Sequence, residues 1–215
     1  MSPYLEPETE IDETGTWLSI GDLMSALLMI FALILIVTLL QLTEKIEEEQ
    51  NSRIIIIQAL EQKLTEKGID AIVDPTTGDI SILQSVLFDL NEAKLKPKGI
   101  ALLNDFVPIY GSVIFSDPDI SEQIQYIVVE GHTSSDGYRS SNMVLSTARA
   151  NAVANLIYSS QFDNKEQLIQ KLLVSGRGEA ESNQERPDPN DRKVRFRFQF
   201  KTDRFLRWFD TQLGK

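Results

Sequence analysis

The sequence contains no cysteine and a single histidine, His132. Disulfides, thiolate metal sites and cysteine nucleophiles are excluded, and a zinc site is disfavoured. Positive charge is scarce as well. Lysine and arginine number 21 against 32 aspartates and glutamates, a net charge of −11, which argues against a general role in binding nucleic acid or anionic lipid. The first sixteen residues, MSPYLEPETEIDETGT, hold five acids and no lysine or arginine. A secretory signal peptide needs a basic segment before its apolar stretch and a small-residue cleavage site after it. Neither is evident, so the apolar stretch that follows is expected to be retained. With so few cations at its flanks, charge asymmetry does not reveal its orientation. No motif asks for a metal or a cofactor.

Against these absences stands one long apolar segment, Leu18–Leu42, of which Leu23–Leu40 carries no charge. Those eighteen residues span about 27 Å as a helix, close to the hydrocarbon thickness of a bilayer. The run is apolar on all sides, unlike a soluble helix with one wet face. A transmembrane helix over 17–42 is expected, with Trp17 as an interfacial anchor. One charge lies in this segment, Asp22, and Ser25, Ala26 and Met29 follow it on the same helix face. Small residues there allow close approach of another helix. A carboxylate in or near hydrocarbon costs a few kcal/mol and marks a candidate proton-binding site. The alternative is that Asp22 caps the helix start, where a negative charge suits the dipole. Position alone leaves both open.

The rest of the 215 residues suffices for one domain of ordinary size. Residues 1–16 read as an acidic tail and 43–68 as a helical linker closed by Gly68. Leu42, Ile46, Ile57, Leu60 and Leu64 form a stripe on this linker, suited to a coiled coil with a second copy, to packing against a partner, or to packing on its own domain. From Ile69 the period changes. AIVDPTTGDISI signals a hairpin, and a helix is expected to start at Pro97. EQIQYIVVEGHT and LLVSGRGEA read as strands on either side of a long helix from Arg139. KVRFRFQFKT alternates strictly, as a strand does with one face buried. A domain over 69–202 is expected, with 203–215 as a last amphipathic segment. The fold class is α/β, a sandwich with helices packed on a mixed sheet.

His132, Ser134 and Asp136 fall within five positions of one loop, without a nucleophile elbow or a separate orienting residue. GRGEAE lacks the spacing and lysine of a phosphate loop. No enzymatic activity is expected. Five ordered blocks carry more information: LFDLNEAKLKPKG, IVVEGHTSSDG, SSNMVLSTARANAV, LLVSGRGE and NDRKVRF. Together they resemble the OmpA-like peptidoglycan-binding domain over roughly 80–200. The resemblance implies that Arg149, with Asn142 and Leu145 beside it on the helix, holds the carboxylate of a diaminopimelate side chain in the cell-wall peptide. Guanidinium and carboxylate match in a bidentate pair. The family's amine-holding Asp is replaced here by Ser134, with Asp136 two residues on. Either Asp136 or Glu130 takes over the amine contact, or the site is weaker or tuned to another peptide.

An early Asp in a single span, a helical linker and this domain together resemble MotB-type stator subunits. Within them, the span sequence and the acidic N-terminus are similar to the ZorB type found in Zorya anti-phage defence. The resemblance implies a homodimer inside a ring of five polytopic MotA-like or ZorA-like channel subunits. It also implies Asp22 as proton acceptor, and a single-pass protein of the bacterial inner membrane with a cytoplasmic N-terminus and a periplasmic, wall-bound domain. A flagellar-type stator and a purely structural membrane-to-wall tether are the competing readings.

Overall fold

The computed structural model describes residues 13–201, and the chain divides into two compact units, residues 1–47 and 48–215. Residues 1–12 of the tail expected over 1–16, and the amphipathic segment expected over 203–215, lie outside the described residues. Helix α1 covers Glu13–Glu66, so helical structure begins inside what reads as tail. In the first unit, Trp17–Glu44 has a mean hydropathy of 2.9 with no residue buried, long and apolar enough to cross a membrane. Hydroxyls in this stretch turn back onto the helix: Ser25 Oγ donates to the Gly21 carbonyl at 2.8 Å, and Thr38 Oγ1 to that of Ile34 at 2.8 Å.

The second unit opens with the end of α1. A reversed turn stops the helix, with Gly68 at φ +63° and the Ile69 amide donating to the Leu64 carbonyl at 3.0 Å, the bond pattern of a Schellman motif. Ile56, Leu60 and Leu64 are buried in the domain core. Of the three uses left open for the linker stripe, its lower half therefore takes the last, packing on its own domain. Ile54 and Ile55 remain half exposed.

The sheet has five strands in the order β1-β2-β5-β3-β4. Strands β1 (Ile72–Val73) and β2 (Ile80–Leu83) make the expected hairpin, and β2 pairs antiparallel with β5 (Lys193–Phe200). Strand β3 (Ile124–His132) lies antiparallel to β5 and parallel to β4 (Leu172–Gly178). A parallel pair needs a crossover, supplied by α5 (Arg139–Ser159) and the short α6 (Lys165–Lys171). Short helices α2 (Gln84–Leu87) and α4 (Pro118–Gln123) and the longer α3 (Pro97–Ile114) complete the unit. The sequence reading missed α2, α4 and α6, which are too short to show a period.

The core lies between the helices and one sheet face. Val194, Phe196, Phe198 and Phe200 join Phe106 and Tyr110 of α3 in that core, with Phe106 edge-on to Phe196 at 4.8 Å. Strand alternation sends the intervening side chains to the opposite face. There Arg197 pairs with Glu130 at 3.3 Å and with Asp79 at 3.6 Å, and Arg195 pairs with Glu181 at 2.8 Å.

Two glycines set how closely α5 sits on the sheet. A Cβ at Gly131 of β3 would collide with the Ser146 carbonyl, and one at Gly176 of β4 with Thr147. The Ser146 hydroxyl accepts from the Gly178 amide at 2.9 Å across the same contact. Backbone atoms of α5 are in the way, so a side chain cannot simply rotate aside. We expect Gly131→Ala to cost ~3 kcal/mol or more, at the upper end of overpacking effects, as measured by urea unfolding of the purified protein.

Candidate functional site

The site residues named from the sequence fall in three places. Asp22, Ser25, Ala26 and Met29 are exposed along α1 in the first unit. Since α1 starts at Glu13, Asp22 lies in the third turn and does not cap the helix, which removes the alternative role left open for it.

Ser134, Asp136 and Asn142 converge at the start of α5. The buried Asn142 side chain sends its amide nitrogen to three acceptors: the Glu179 carboxylate at 2.6 Å, the Asp136 carbonyl at 2.9 Å and the Ser134 carbonyl at 3.3 Å. Two N–H groups are thus shared among three oxygens, and the loop after β3 is tied to the end of β4. Arg139 closes the group by donating to the second Glu179 oxygen at 3.2 Å. The Asn142 and Arg139 donors hold the Glu179 carboxyl below its ordinary range. Glu179 belongs to the Gly-x-Gly-Glu block yet escaped notice, because its partners lie 37 and 40 positions away in the chain. Ser134 is buried, and its hydroxyl donates to the exposed Asp136 carboxylate at 3.3 Å. The acid absent at 134 therefore has a neighbour hydrogen-bonded to that position.

Arg149 sits two turns further along the same helix face, about 10 Å along the axis. Leu145, half buried, lies between them. The Arg149 side chain is only 1% exposed. Its Nε donates to the Glu92 carbonyl at 2.9 Å, and its guanidinium lies 5.5 Å from the centre of the Phe88 ring. Among the described residues, Nη1 is buried without a hydrogen-bond partner. The loop over it is pinned at its base, where Phe88 bridges to Leu95 and the Lys96 amide donates to the Leu87 carbonyl. Burial, and after it the nearby Arg192 guanidinium, push Arg149 down to about 10. It is still a cation at neutral pH. A buried cation with an unsatisfied donor is costly unless an anion meets it, so the arrangement suits a carboxylate ligand.

Glu130 is not part of this group. Alternation along β3 points it to the charged sheet face, where His132 lies at 3.5 Å and Arg197 at 3.3 Å. Of the two acids considered for the amine contact, Asp136 stands beside Ser134 and Glu130 does not.

The sequence profile of the OmpA family matches residues 87–197. The chain belongs to the OmpA family. Its relatives include the Zorya protein ZorB of Escherichia coli strain Crooks, 32% identical over 160 residues, or 66% of this chain and 67% of that protein. A second Zorya protein ZorB, from Escherichia coli O139:H28, is 28% identical over 204 residues, covering 87% of this chain and 81% of that one. The fold is shared with the crystal structure of a MotB-like protein from Desulfovibrio vulgaris, at a TM-score of 0.52 and 18% identity over 72% of this chain and 95% of that one. The protein is thus a member of the OmpA family, similar to ZorB. The Arg149 loop, the Asn142 hub and the Glu179 turn all lie inside the matched region.

Glu130 gives the charged sheet face an acid-sensitive signature. Burial alone would raise its carboxyl, but His132 and Arg197 outweigh it and hold it at about 2. A depressed carboxyl stabilises the fold fully above its ordinary value of 4.5 and loses that contribution as pH falls from 4.5 toward 2. We expect Glu130→Gln to cost about 2 kcal/mol at neutral pH, with partial exposure allowed for. The variant's urea-unfolding free energy should also fall less steeply than the wild type's across that pH interval.

Proposed function

We propose that this chain is the wall-anchored, stator-like subunit of a proton-driven membrane motor of the Zorya anti-phage type. The observation that carries the reading is the 32% identity to ZorB in a chain that joins a span bearing Asp22 to a domain with a buried, carboxylate-seeking arginine. Two copies of the span stand inside a ring of five MotA-like channel subunits. The N-terminus is cytoplasmic and the OmpA-like domain periplasmic, bound to peptidoglycan.

The mechanism follows from Asp22, with Ser25, Ala26 and Met29 facing the ring beside it. A proton from the periplasmic side neutralises one Asp22, and release to the cytoplasm restores its charge. Each charge crossing the membrane yields ~2.3 kcal/mol per 100 mV. Charged and neutral carboxyls favour different contacts with the ring, so alternation between them shifts the ring between positions. Arg149 holds a peptide carboxylate of the wall, and Asn142 with Glu179 fixes the loop that presents Asp136. The domain stands still while the ring turns.

We expect Asp22→Asn to abolish protection in a phage-challenge assay while the ring partner still co-purifies at the wild-type level. Protection that survives the substitution would rule out proton coupling through Asp22 and leave a structural tether. Arg149→Ala should release the protein from isolated sacculi in a sedimentation assay. Retention at the wild-type level would remove wall binding from this site.

A further inference from the structure

We propose that Tyr138 makes the site selective for cross-linked wall peptide, in which the diaminopimelate side-chain amine is acylated by the D-alanine of a neighbouring stem. The inference rests on the wall-binding reading and names the form of the peptide that the site prefers. Tyr138 stands directly before α5, and its carbonyl accepts from the Asn142 amide at 2.9 Å. That bond sets it one helical turn ahead of Asn142. Tyr138, Asn142, Leu145 and Arg149 therefore follow one another along one side of the helix. The two ends of this line differ sharply, since Arg149 is 1% exposed and Tyr138 is 82% exposed. A single surface aromatic is ordinary. This one continues the line of the site residues out into water.

The loop beside it is arranged against a free ammonium. Ser134 is buried and uncharged, and its hydroxyl donates to the carboxylate of Asp136, which is exposed. A site built to hold an ammonium would bury the acid and leave the neutral group outside. Here the order is reversed, and an ion pair made in water contributes little. The nearby Glu179 is already engaged by Asn142 and Arg139. An acylated amine carries no charge, keeps one N–H and needs only an acceptor. The Ser134 hydroxyl and the Asp136 carboxylate both offer one, so acylation sacrifices little. It also adds a new residue to the ligand. Gly137, at φ +87°, turns the chain between Asp136 and Tyr138, so the ring stands two positions on from the acid. The methyl edge of an acyl D-alanine suits the face of such a ring. The loop is fixed in advance, because the Asn142 side chain donates to the Ser134 and Asp136 carbonyls. Tyr138 is thereby presented with little ordering left to do on binding.

The test uses the full chain in detergent and the tetrapeptide stem of peptidoglycan in two forms. In one the diaminopimelate side-chain amine is free, and in the other it is acylated with N-acetyl-D-alanine. Titration calorimetry should show the wild type binding the acylated form about fivefold more tightly, the scale of one aromatic contact. Tyr138→Ala should bring the two affinities together by weakening the acylated form alone, and Tyr138→Phe should keep the preference. The fold is not at stake, because the ring is exposed and the main-chain bond from Asn142 survives both substitutions. Matching melting curves check this. Equal or weaker wild-type binding of the acylated form overturns the proposal, and so does a preference that persists in Tyr138→Ala. If the wild type binds neither sacculi nor either peptide, the wall-binding reading itself fails.

Discussion

Everything in the binding domain depends on how closely α5 approaches the sheet. The helix carries Asn142, Leu145 and Arg149 on one face, and the depth of that face is set where it touches β3 and β4. Gly131 and Gly176 leave no Cβ between helix and strands. Ser146 converts the contact into a hydrogen bond with Gly178, so helix and strand cannot slide past one another. With the helix seated this low, Asn142 reaches three oxygens from two separate loops, and Arg149 reaches beneath the loop that follows α2. A wider gap would leave both side chains short of their partners.

The same closeness creates an energetic imbalance at Arg149. One N–H of the guanidinium is matched by the Glu92 carbonyl and its face is covered by Phe88, while Nη1 has no partner among the described residues. Folding alone gains little from such a residue, since a well-packed apolar side chain of similar volume often does as well. The imbalance makes sense as preorganisation. The desolvation cost is met when the protein folds, so a carboxylate ligand of the kind proposed would meet a cation already stripped of water and held in place.

Much of the architecture was legible in the sequence, because its elements carry strong periods. The strict alternation of Lys193–Phe200 is buried at every second position, and the Pro/Gly turn between Ile72 and Ile80 makes its hairpin. The long apolar helix showed itself by length and lack of charge. What stayed hidden arises from contacts distant in the chain. Glu130 reads as a spare acid near the binding loop until strand alternation assigns it to the other face. Glu179 reads as one glutamate among many until Asn142 is found against it. Asp22 reads equally well as a cap until the helix is seen to begin at Glu13. Sequence spacing predicts which residues share a face. It does not say which face another element will cover.

The end of α1 adds a constraint of another kind. Because Ile56, Leu60 and Leu64 belong to the domain core, this stretch is not a spacer whose length can drift. Each residue advances a helix by 100°, so deleting one between Ile56 and Leu64 would turn the preceding side chains away from the core. Insertions and deletions are therefore filtered by helical phase, and the folding unit begins well before residue 69, where the hydrophobic period changes. A soluble fragment cut at that change would lose three plugs from its core and expose the surfaces they cover.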